Sequence, residues 1–207
     1  MAASDAAQRV LTVFLLRHGQ TAYNVAGRLR GRADPQLDEQ GRAQADALGR
    51  LFAGVALSRV LASPLQRAVE TAEPLARAVG LSVEVMDALN DRDYGPWTGS
   101  DRGEVQQRFG SIDAAPGVEP WHALCERVHQ AFDGLLETSA GPAIALVGHD
   151  ATNRALLEVL GAAANRSPGD IAQDNGCWNC LQWRSGRWEL TVLNALPGDG
   201  QRAPPGQ

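Results

Sequence analysis

The chain has 207 residues, of which 44% are hydrophobic and 21% are charged, and its formal net charge is −5. This length suits a domain whose core needs neither a metal nor disulfides. An acidic chain lacks the basic surface of a general nucleic-acid or membrane-surface binder, so we expect neither partner. No apolar run approaches the roughly 20 residues that span a bilayer, and we expect a cytoplasmic location.

Strands and helices alternate along the chain. In chain order the predicted elements are strand 10–16, helix 38–53, strand 59–62, helix 64–79, strand 81–86, helices 102–109 and 119–136, strand 142–147, a helix ending at 160, and hairpin strands 177–183 and 187–193. This alternation predicts an α/β fold, a three-layer sandwich with a mostly parallel central sheet flanked by helices. Residues 1–196 are expected to form a single domain, and the Pro- and Gly-rich residues 197–207 a disordered tail.

Two helix starts carry local signals. Asp38 is an N-cap residue for the first helix, and Ser63 is predicted to cap the second, with Pro64 at its first helical position. Pro74 falls inside the apolar pattern of that second helix, so we expect a kink or a break there.

The three cysteines do not make a disulfide framework. Cys177 and Cys180 form a CxxC pair, but no second Cys or His pair accompanies it. In a strand the two side chains point to opposite faces. We therefore expect no metal and no other cofactor.

Polar residues close two of the predicted strands. Arg17 and His18 end the first strand, His149 follows strand 142–147, and Arg67 lies in the first turn of the helix after the second strand. Open α/β sheets bind ligands beyond the carboxyl ends of their strands, so these groups meet if the strands are neighbours. Solvated arginines and a structural histidine are the ordinary alternative. Two His and two Arg together favour a phosphate site, because forked guanidinium donors match phosphate oxygens.

The segments LLRHGQTAYN, SPLQRAVETA and LVGHDATNRALL, in this order, resemble the histidine phosphatase superfamily, the phosphoglycerate mutase-like proteins with an RHGxTxxN motif. The likeness covers residues 10–160 and, loosely, the hairpin. It implies the phosphoglycerate mutase-like fold and a metal-independent phosphatase in which a neutral His18 takes the phosphoryl group as a phosphohistidine. Arg17, Arg67 and His149 would surround the phosphoryl oxygens.

The resemblance also implies a carboxyl group that protonates the leaving oxygen. The family pattern LNERxYG reads LNDRDYG in this chain, so Asp91 stands in place of the Glu and is one methylene shorter. Asp150, directly after His149, is similar to the proton donor of the acid phosphatase branch and is the alternative donor. A helix cap is the structural interpretation of Asp150.

Further positions match the segments that contact substrate in the family. Asn24 would add an amide donor, and Arg30 would bind a second anionic group. The set expected to contact substrate is Gly19, Thr21, Asn24, Arg30, Gly31, Tyr94 and Asp150. Entrance roles are also considered for Trp97, Arg102, Trp121 and His122, although packing or surface positions are the preferred interpretation of these four.

Two other functions share this pattern. A cofactor-dependent phosphoglycerate mutase uses the same site, but family mutases have a long insertion with adjacent arginines before the second His, whereas 50 positions separate Gly99 from His149. A catalytically silent phospho-ligand binding protein is the third hypothesis. In each case the expected ligand is a small phosphorylated molecule. A homo-oligomer is also considered, because an edge strand of the hairpin can pair with a second copy of the chain.

Overall fold

A six-stranded sheet runs through the centre of the computed structural model, which describes residues 12–163, 166–198 and 204–205. The strands are β1 (Thr12–Arg17), β2 (Arg59–Ala62), β3 (Val83–Val85), β4 (Ala143–Gly148), β5 (Trp178–Arg184) and β6 (Arg187–Ala195). Most of the predicted tail, residues 199–203 and 206–207, lies outside the described residues, and the expected single domain over 1–196 stays a prediction.

The strand order is β3-β2-β4-β1-β5-β6. The first four of these strands are parallel to one another, while β5 and β6 are antiparallel to their neighbours. The prediction of a mostly parallel α/β sheet flanked by helices is therefore confirmed. β1 and β2 are not direct neighbours, however, because β4 lies between them. The residue that follows β4 is thus placed between those that follow β1 and β2.

Helices cover both faces of the sheet. The helices are α1 (Ala22–Val25), α2 (Glu39–Phe52), α3 (Gln66–Ala78), α4 (Arg102–Phe109), α5 (Trp121–Thr138) and α6 (Asp150–Val159), and those that cover the two faces are α2, α3, α5 and α6. Side chains alternate along β1: Val13 and Leu15 pack with α5 and α6, whereas Phe14 and Leu16 pack with α2 and α3. Both faces are buried, which explains the continuous apolar run in the sequence.

A third apolar cluster lies away from the sheet, under the loops at its carboxyl edge. It contains the buried side chains Leu29, Tyr94, Val105, Ile112, Ala115 and Val118. This cluster joins the loop after β1, the loop after β3 and α4. Its side chains pack the outer side of the crevice that lies beyond the carboxyl ends of the parallel strands.

The structure differs from some of the predictions made for individual helices. Ser63 is not the N-cap of α3, whose N-cap is Leu65 without a side-chain hydrogen bond. The Ser63 hydroxyl oxygen accepts from the N–H of Leu65 at 3.3 Å and lies 2.8 Å from Nε2 of His149. α3 continues through Pro74 without a break, and the alternative expectation of a kink there stays a prediction. α1 is missed, since its four residues are too few to show a helical period. Within the described residues, no helix has both the length and the apolar character needed to span a bilayer.

Candidate active site

Two neighbouring parallel strands bring two histidines to one edge of the sheet. Arg17 at the end of β1 lies opposite Gly148 at the end of β4. His18 and His149 follow, both fully buried, with ring centroids 5.2 Å apart. Arg67 in the first turn of α3 is fully buried, and its charge and that of Arg17 act on both rings. We call these four residues, which the sequence analysis expected to meet, the histidine–arginine cluster.

One short contact determines the tautomer of His18. Its Nδ1 lies 2.6 Å from the carbonyl oxygen of Gly19, which can only accept, so Nδ1 carries the proton. Nε2 is buried and has no hydrogen-bond partner in the described part of the chain. Burial, followed by the positive charge of Arg67, lowers the pKa of His18 well below 6.5. At neutral pH the ring is therefore an uncharged imidazole with a lone pair on Nε2.

The backbone after His18 is packed too closely for a side chain. A Cβ on Gly19 would lie 2.4 Å from the carbonyl oxygen of Gly41 in α2. The N–H of Gly19 donates to Oγ1 of Thr71 at 3.0 Å, and the Thr71 hydroxyl donates to the carbonyl of Arg67 at 2.7 Å. The peptide that orients the His18 ring is thus held by α2 and α3 together.

Ser63 orients the second histidine. Its Oγ lies 2.8 Å from Nε2 of His149, while Nδ1 of that ring lies 3.9 Å from Oδ2 of Asp91. Burial, followed by the charge of Arg67, lowers the pKa of His149 well below 6.5, so the ring carries one proton. A carboxylate beside Nδ1 attracts that proton, and the Ser63 O–H then donates to Nε2. In this tautomer Nδ1–H is a hydrogen-bond donor on the Asp91 side of the ring.

Arg67 is held by acceptors on both of its terminal nitrogens. NH1 donates to the carbonyl of Ala33 at 2.6 Å, and NH2 donates to the carbonyl of Gly31 at 2.9 Å and to Asp91 Oδ2 at 3.1 Å. Gly31 has a φ of +48°, a conformation that favours glycine. Nε of Arg67 is buried and has no hydrogen-bond partner among the described residues. The loop after β1 therefore aims this guanidinium group rather than only covering it.

A buried amide network holds Arg17. Its NH1 donates to the backbone carbonyl of Gln173. The Gln173 side-chain oxygen accepts from Nδ2 of Asn153 and from Nδ2 of Asn179, each at 3.0 Å, and its amide donates to the Asn179 side-chain oxygen at 2.9 Å. Asn179 also donates to the carbonyl of Leu15 in β1 at 3.0 Å. Three amides thus connect β1, β5 and α6 beneath the arginine.

Of the two candidate acids, Asp91 contacts the cluster. It is almost fully buried, with Oδ2 beside Arg67 and His149 and Oδ1 accepting from the N–H of Arg92 at 2.9 Å. Asp150 is the first residue of α6 rather than its N-cap, and its carboxylate pairs with Arg154 at 2.6 Å. Asp91 therefore lies beside the cluster, whereas Asp150 lies on the wall of the adjoining cavity.

The other predicted substrate contacts lie in three environments. Thr21 caps α1, and the side-chain oxygen of Asn24 accepts from the Thr21 N–H and O–H, so that only the Asn24 Nδ2 remains as a donor toward a ligand. Arg30 acts electrostatically on the whole cluster, and its Nε is buried without a partner among the described residues. Burial raises the pKa of Tyr94 to about 12, so its phenol stays protonated.

A cavity of about 360 Å³ adjoins the cluster. Its wall begins at Arg92 and Asp150, the residues directly after Asp91 and His149, and ends at α4 and the loop that follows it. The lining residues are Arg92, Tyr94, Arg102, Gln106, Ser111, Ile112, Asp113, Trp121, Asp150, Ala151, Arg154 and Gly169. Arg102 and Trp121 line the cavity, while Arg102 is also exposed and Trp121 also packs against the core, as the preferred surface or packing interpretation expects. Trp97 packs on Phe109 instead, at 4.9 Å between ring centroids.

The CxxC cysteines lie inside the protein. Burial raises the pKa of Cys177 to about 12 and raises that of Cys180 above its ordinary value, so both thiols stay protonated. A protonated thiol is a poor metal ligand. In the part of the chain that the structure describes, no three His, Cys, Asp or Glu side chains are grouped so as to hold a metal ion.

The sequence analysis assigned no role in the site to several positioning residues. Ser63, Thr71, Asn153, Gln173 and Asn179 each act on a cluster residue through a hydrogen bond or a short chain of them. Ser63 and Thr71 lie in the segment SPLQRAVETA and Asn153 in LVGHDATNRALL, so the resemblance offered a signal for these three. Asn179 offered another, as a polar residue in the apolar segment Trp178–Leu181, whereas Gln173 is an ordinary polar residue in the sequence. Only the packing of strands and helices makes the five residues neighbours of the cluster.

The fold and the cluster define a class of protein, an α/β protein with two neutral histidines and two buried arginines at the carboxyl edge of its sheet. The family model for the histidine phosphatase superfamily (branch 1) matches residues 13–196, and the chain belongs to this superfamily. The resemblance seen in the sequence is therefore confirmed.

Three similar proteins illustrate the range of this superfamily. The bifunctional protein Rv2228c of Mycobacterium tuberculosis is 33% identical over 157 residues, which are 71% of this chain but 43% of that protein, so the chain spans less than half the length of this relative. A probable phosphoglycerate mutase of Salmonella choleraesuis is 31% identical over 150 residues, 68% of this chain and 70% of that one. A solved mycobacterial glucosyl-3-phosphoglycerate phosphatase with VO3 superposes with a TM-score of 0.81 at 28% identity, covering 90% of this chain and all 100% of that chain.

Proposed function

We propose that the protein is a metal-independent phosphatase that hydrolyses small phosphomonoesters through a phosphohistidine on His18. The observation that carries this proposal is the buried, unprotonated Nε2 of His18, which has no partner among the described residues and lies beside two arginines and a second neutral histidine. A neutral ring is the nucleophilic form of histidine, and cationic groups around it favour a phosphoryl dianion.

In the first step Nε2 of His18 attacks phosphorus, forming a P–N bond as the ester P–O bond breaks. The guanidinium groups of Arg17 and Arg67 and the Nδ1–H of His149 donate to the phosphoryl oxygens, on which charge is spread in the transition state. The leaving oxygen takes a proton from a carboxyl group. We assign this role to Asp91, which contacts both Arg67 and His149 and which must take up a proton when the substrate binds in order to act as the acid.

In the second step a water molecule attacks the phosphohistidine, and the carboxylate of Asp91 takes its proton. The P–N bond breaks, inorganic phosphate leaves, and His18 returns to its neutral form with the proton still on Nδ1. The carbonyl of Gly19 holds that proton throughout, so attack and release both use Nε2. Positioning and charge stabilisation supply most of the catalysis.

The test is hydrolysis of p-nitrophenyl phosphate in the presence of EDTA, combined with rapid acid-labile trapping of labelled phosphoprotein. We expect turnover, and a labelled intermediate that disappears in His18→Ala. His129→Ala is the matched control, because this histidine is exposed on α5 and its contact with Asp133, at 3.6 Å, is also at the surface. Absence of both turnover and label in the parent protein would favour a phospho-ligand binding protein instead.

A mutase-type phosphoryl transferase is the second candidate, since one relative is named as a probable phosphoglycerate mutase. Such an enzyme must retain the phosphohistidine and exclude water. The short segment between the Asp91 loop and His149, which holds α4, α5 and β4, favours hydrolysis. Incubation with 3-phosphoglycerate and a trace of 2,3-bisphosphoglycerate distinguishes the two: a phosphatase releases phosphate, whereas a mutase forms the 2-phospho isomer.

A further inference from the structure

The charges in the wall of the cavity beside the cluster do not cancel. Arg92 pairs with Asp113 at 2.6 Å, and Arg154 pairs with Asp150 at 2.6 Å. The third arginine of the wall, Arg102 at the start of α4, forms no ion pair with any carboxylate in the described ranges. An occupant of this cavity therefore meets two neutralised pairs and one remaining positive charge.

The aromatic side chains of the wall are already engaged. The face of Trp121 is covered by the guanidinium group of Arg92, 5.6 Å from the ring centroid, and its indole N–H donates to Glu158 at 2.8 Å. Tyr94 is only 6% exposed. Little aromatic surface remains on which a nucleobase would stack, and most of the other lining side chains are polar. The occupant is thus expected to be aliphatic and polar rather than aromatic.

The size of the cavity sets a further limit. Its volume of about 360 Å³ is at the lower end of the range for small-molecule sites. Its lining includes Arg92 and Asp150, the residues directly after Asp91 and His149. We therefore expect the organic part of an ester bound at His18 to enter it. A phosphopeptide would have to leave most of its body outside.

On the basis of the proposed phosphatase function, we infer that the substrate is a small aliphatic phosphomonoester with a second anionic group, a carboxylate or another phosphoryl group, that binds Arg102. The reasons are the one uncompensated positive charge, the covered aromatic faces and the small volume. A hydrogen-bonded charge pair in such a partly enclosed site is expected to favour the anionic ester by roughly tenfold over its neutral analogue.

The experiment compares kcat/KM for three esters of one chain length: 4-hydroxybutyl phosphate, 4-(phosphonooxy)butanoate and butane-1,4-diyl bisphosphate. Adenosine 5′-monophosphate tests the exclusion of nucleotides. The parent protein is compared with Arg102→Gln. Arg77→Gln, exposed near the end of α3 at the opposite edge of the sheet, is the control for loss of one positive charge.

We expect at least one anionic butyl ester to exceed the neutral one by roughly tenfold in the parent and in Arg77→Gln, with this ratio falling to about one in Arg102→Gln. The better of the two anionic esters tells whether the site takes a carboxylate or a phosphoryl group. Equal rates for all butyl esters, an unchanged ratio in Arg102→Gln, or a preference for the nucleotide would overturn the inference while leaving the phosphatase function intact. Turnover of no ester, with no labelled phosphoprotein, would remove the proposed function and this inference with it.

Discussion

Ser63→Ala tests the tautomer of His149, and it also removes the acceptor of the Leu65 N–H at 3.3 Å. The substitution removes one hydroxyl group from a fully buried position, so it creates almost no cavity, but Nε2 of His149 loses its partner at 2.8 Å. The neutral ring is then free to carry its proton on Nε2 instead of Nδ1. A molecule with that tautomer presents a lone pair, not a donor, on the Asp91 side of the ring.

The size of the effect follows from the hydrogen bond that is lost. A buried neutral hydrogen bond contributes about 0.5–1.5 kcal/mol, so its loss shifts the tautomer equilibrium by up to roughly tenfold. Complete loss of one hydrogen-bond donor to the transition state lowers kcat by about 10²- to 10³-fold, and this is the upper limit of the effect expected for Ser63→Ala. We expect kcat and kcat/KM to fall together by about tenfold in Ser63→Ala, because the Nδ1–H interaction strengthens in the transition state.

The assay combines steady-state hydrolysis of p-nitrophenyl phosphate with the ¹⁵N chemical shifts of the His149 ring, which report the protonated nitrogen. Ser63→Thr keeps the hydroxyl group and is expected to restore both the Nδ1–H tautomer and most of the rate. Parent activity in Ser63→Ala would refute the reasoning. A lower rate with the proton still on Nδ1 would show that Ser63 acts through packing alone.

Three further predictions concern the acid, the histidines and the turn after β1. Asp91→Asn should slow hydrolysis of alkyl phosphates by about 10²- to 10⁴-fold and of p-nitrophenyl phosphate far less, while Asp150→Asn stays near the parent rate; the reverse order would exchange their roles. The pKa values of the two cluster histidines are depressed in the folded state, so the unfolded state binds more protons below about pH 6.5 and the free energy of unfolding, measured in urea, should fall as the pH drops. In His18→Asn the slope of this free energy against pH should be smaller by up to about one proton. An unchanged slope would contradict this reasoning. Gly19→Ala should cost about 1–3 kcal/mol of unfolding free energy, since its Cβ would lie 2.4 Å from a backbone carbonyl, whereas Gly134→Ala in open helix should be neutral or stabilising.

Periodicity and strand-end residues were enough to predict the fold class. The run Val13–Leu16 is apolar at every position because both faces of β1 are covered, and Asp38 caps α2 by accepting from the N–H of Gly41 at 2.8 Å. These features depend on short stretches of sequence. The prediction for Ser63 failed for the opposite reason: its hydroxyl had a distant partner, His149, that no local pattern contains.

The strand order was the decisive tertiary fact for the site. Insertion of β4 between β1 and β2 makes His149 the direct neighbour of His18, with their rings 5.2 Å apart. The sequence analysis expected the same four residues to meet, but only if their strands were neighbours. The order of strands in a sheet depends on which buried faces pack best. This packing involves residues more than 80 positions apart in the chain, such as Val60 in β2 and Ala145 in β4.

By itself, the sequence determined which residues carry reactive groups and where each lies within its own strand or helix, because local periodicity and strand ends depend on neighbouring residues. Only the tertiary structure decided the proton positions on the two histidines, the pairing of Asp91 with Arg67 rather than with solvent, and the unbalanced charge of the adjoining cavity. Tautomers and ion pairs depend on distances of a few ångströms between groups from different elements. Those distances are set when the helices and loops pack on the sheet.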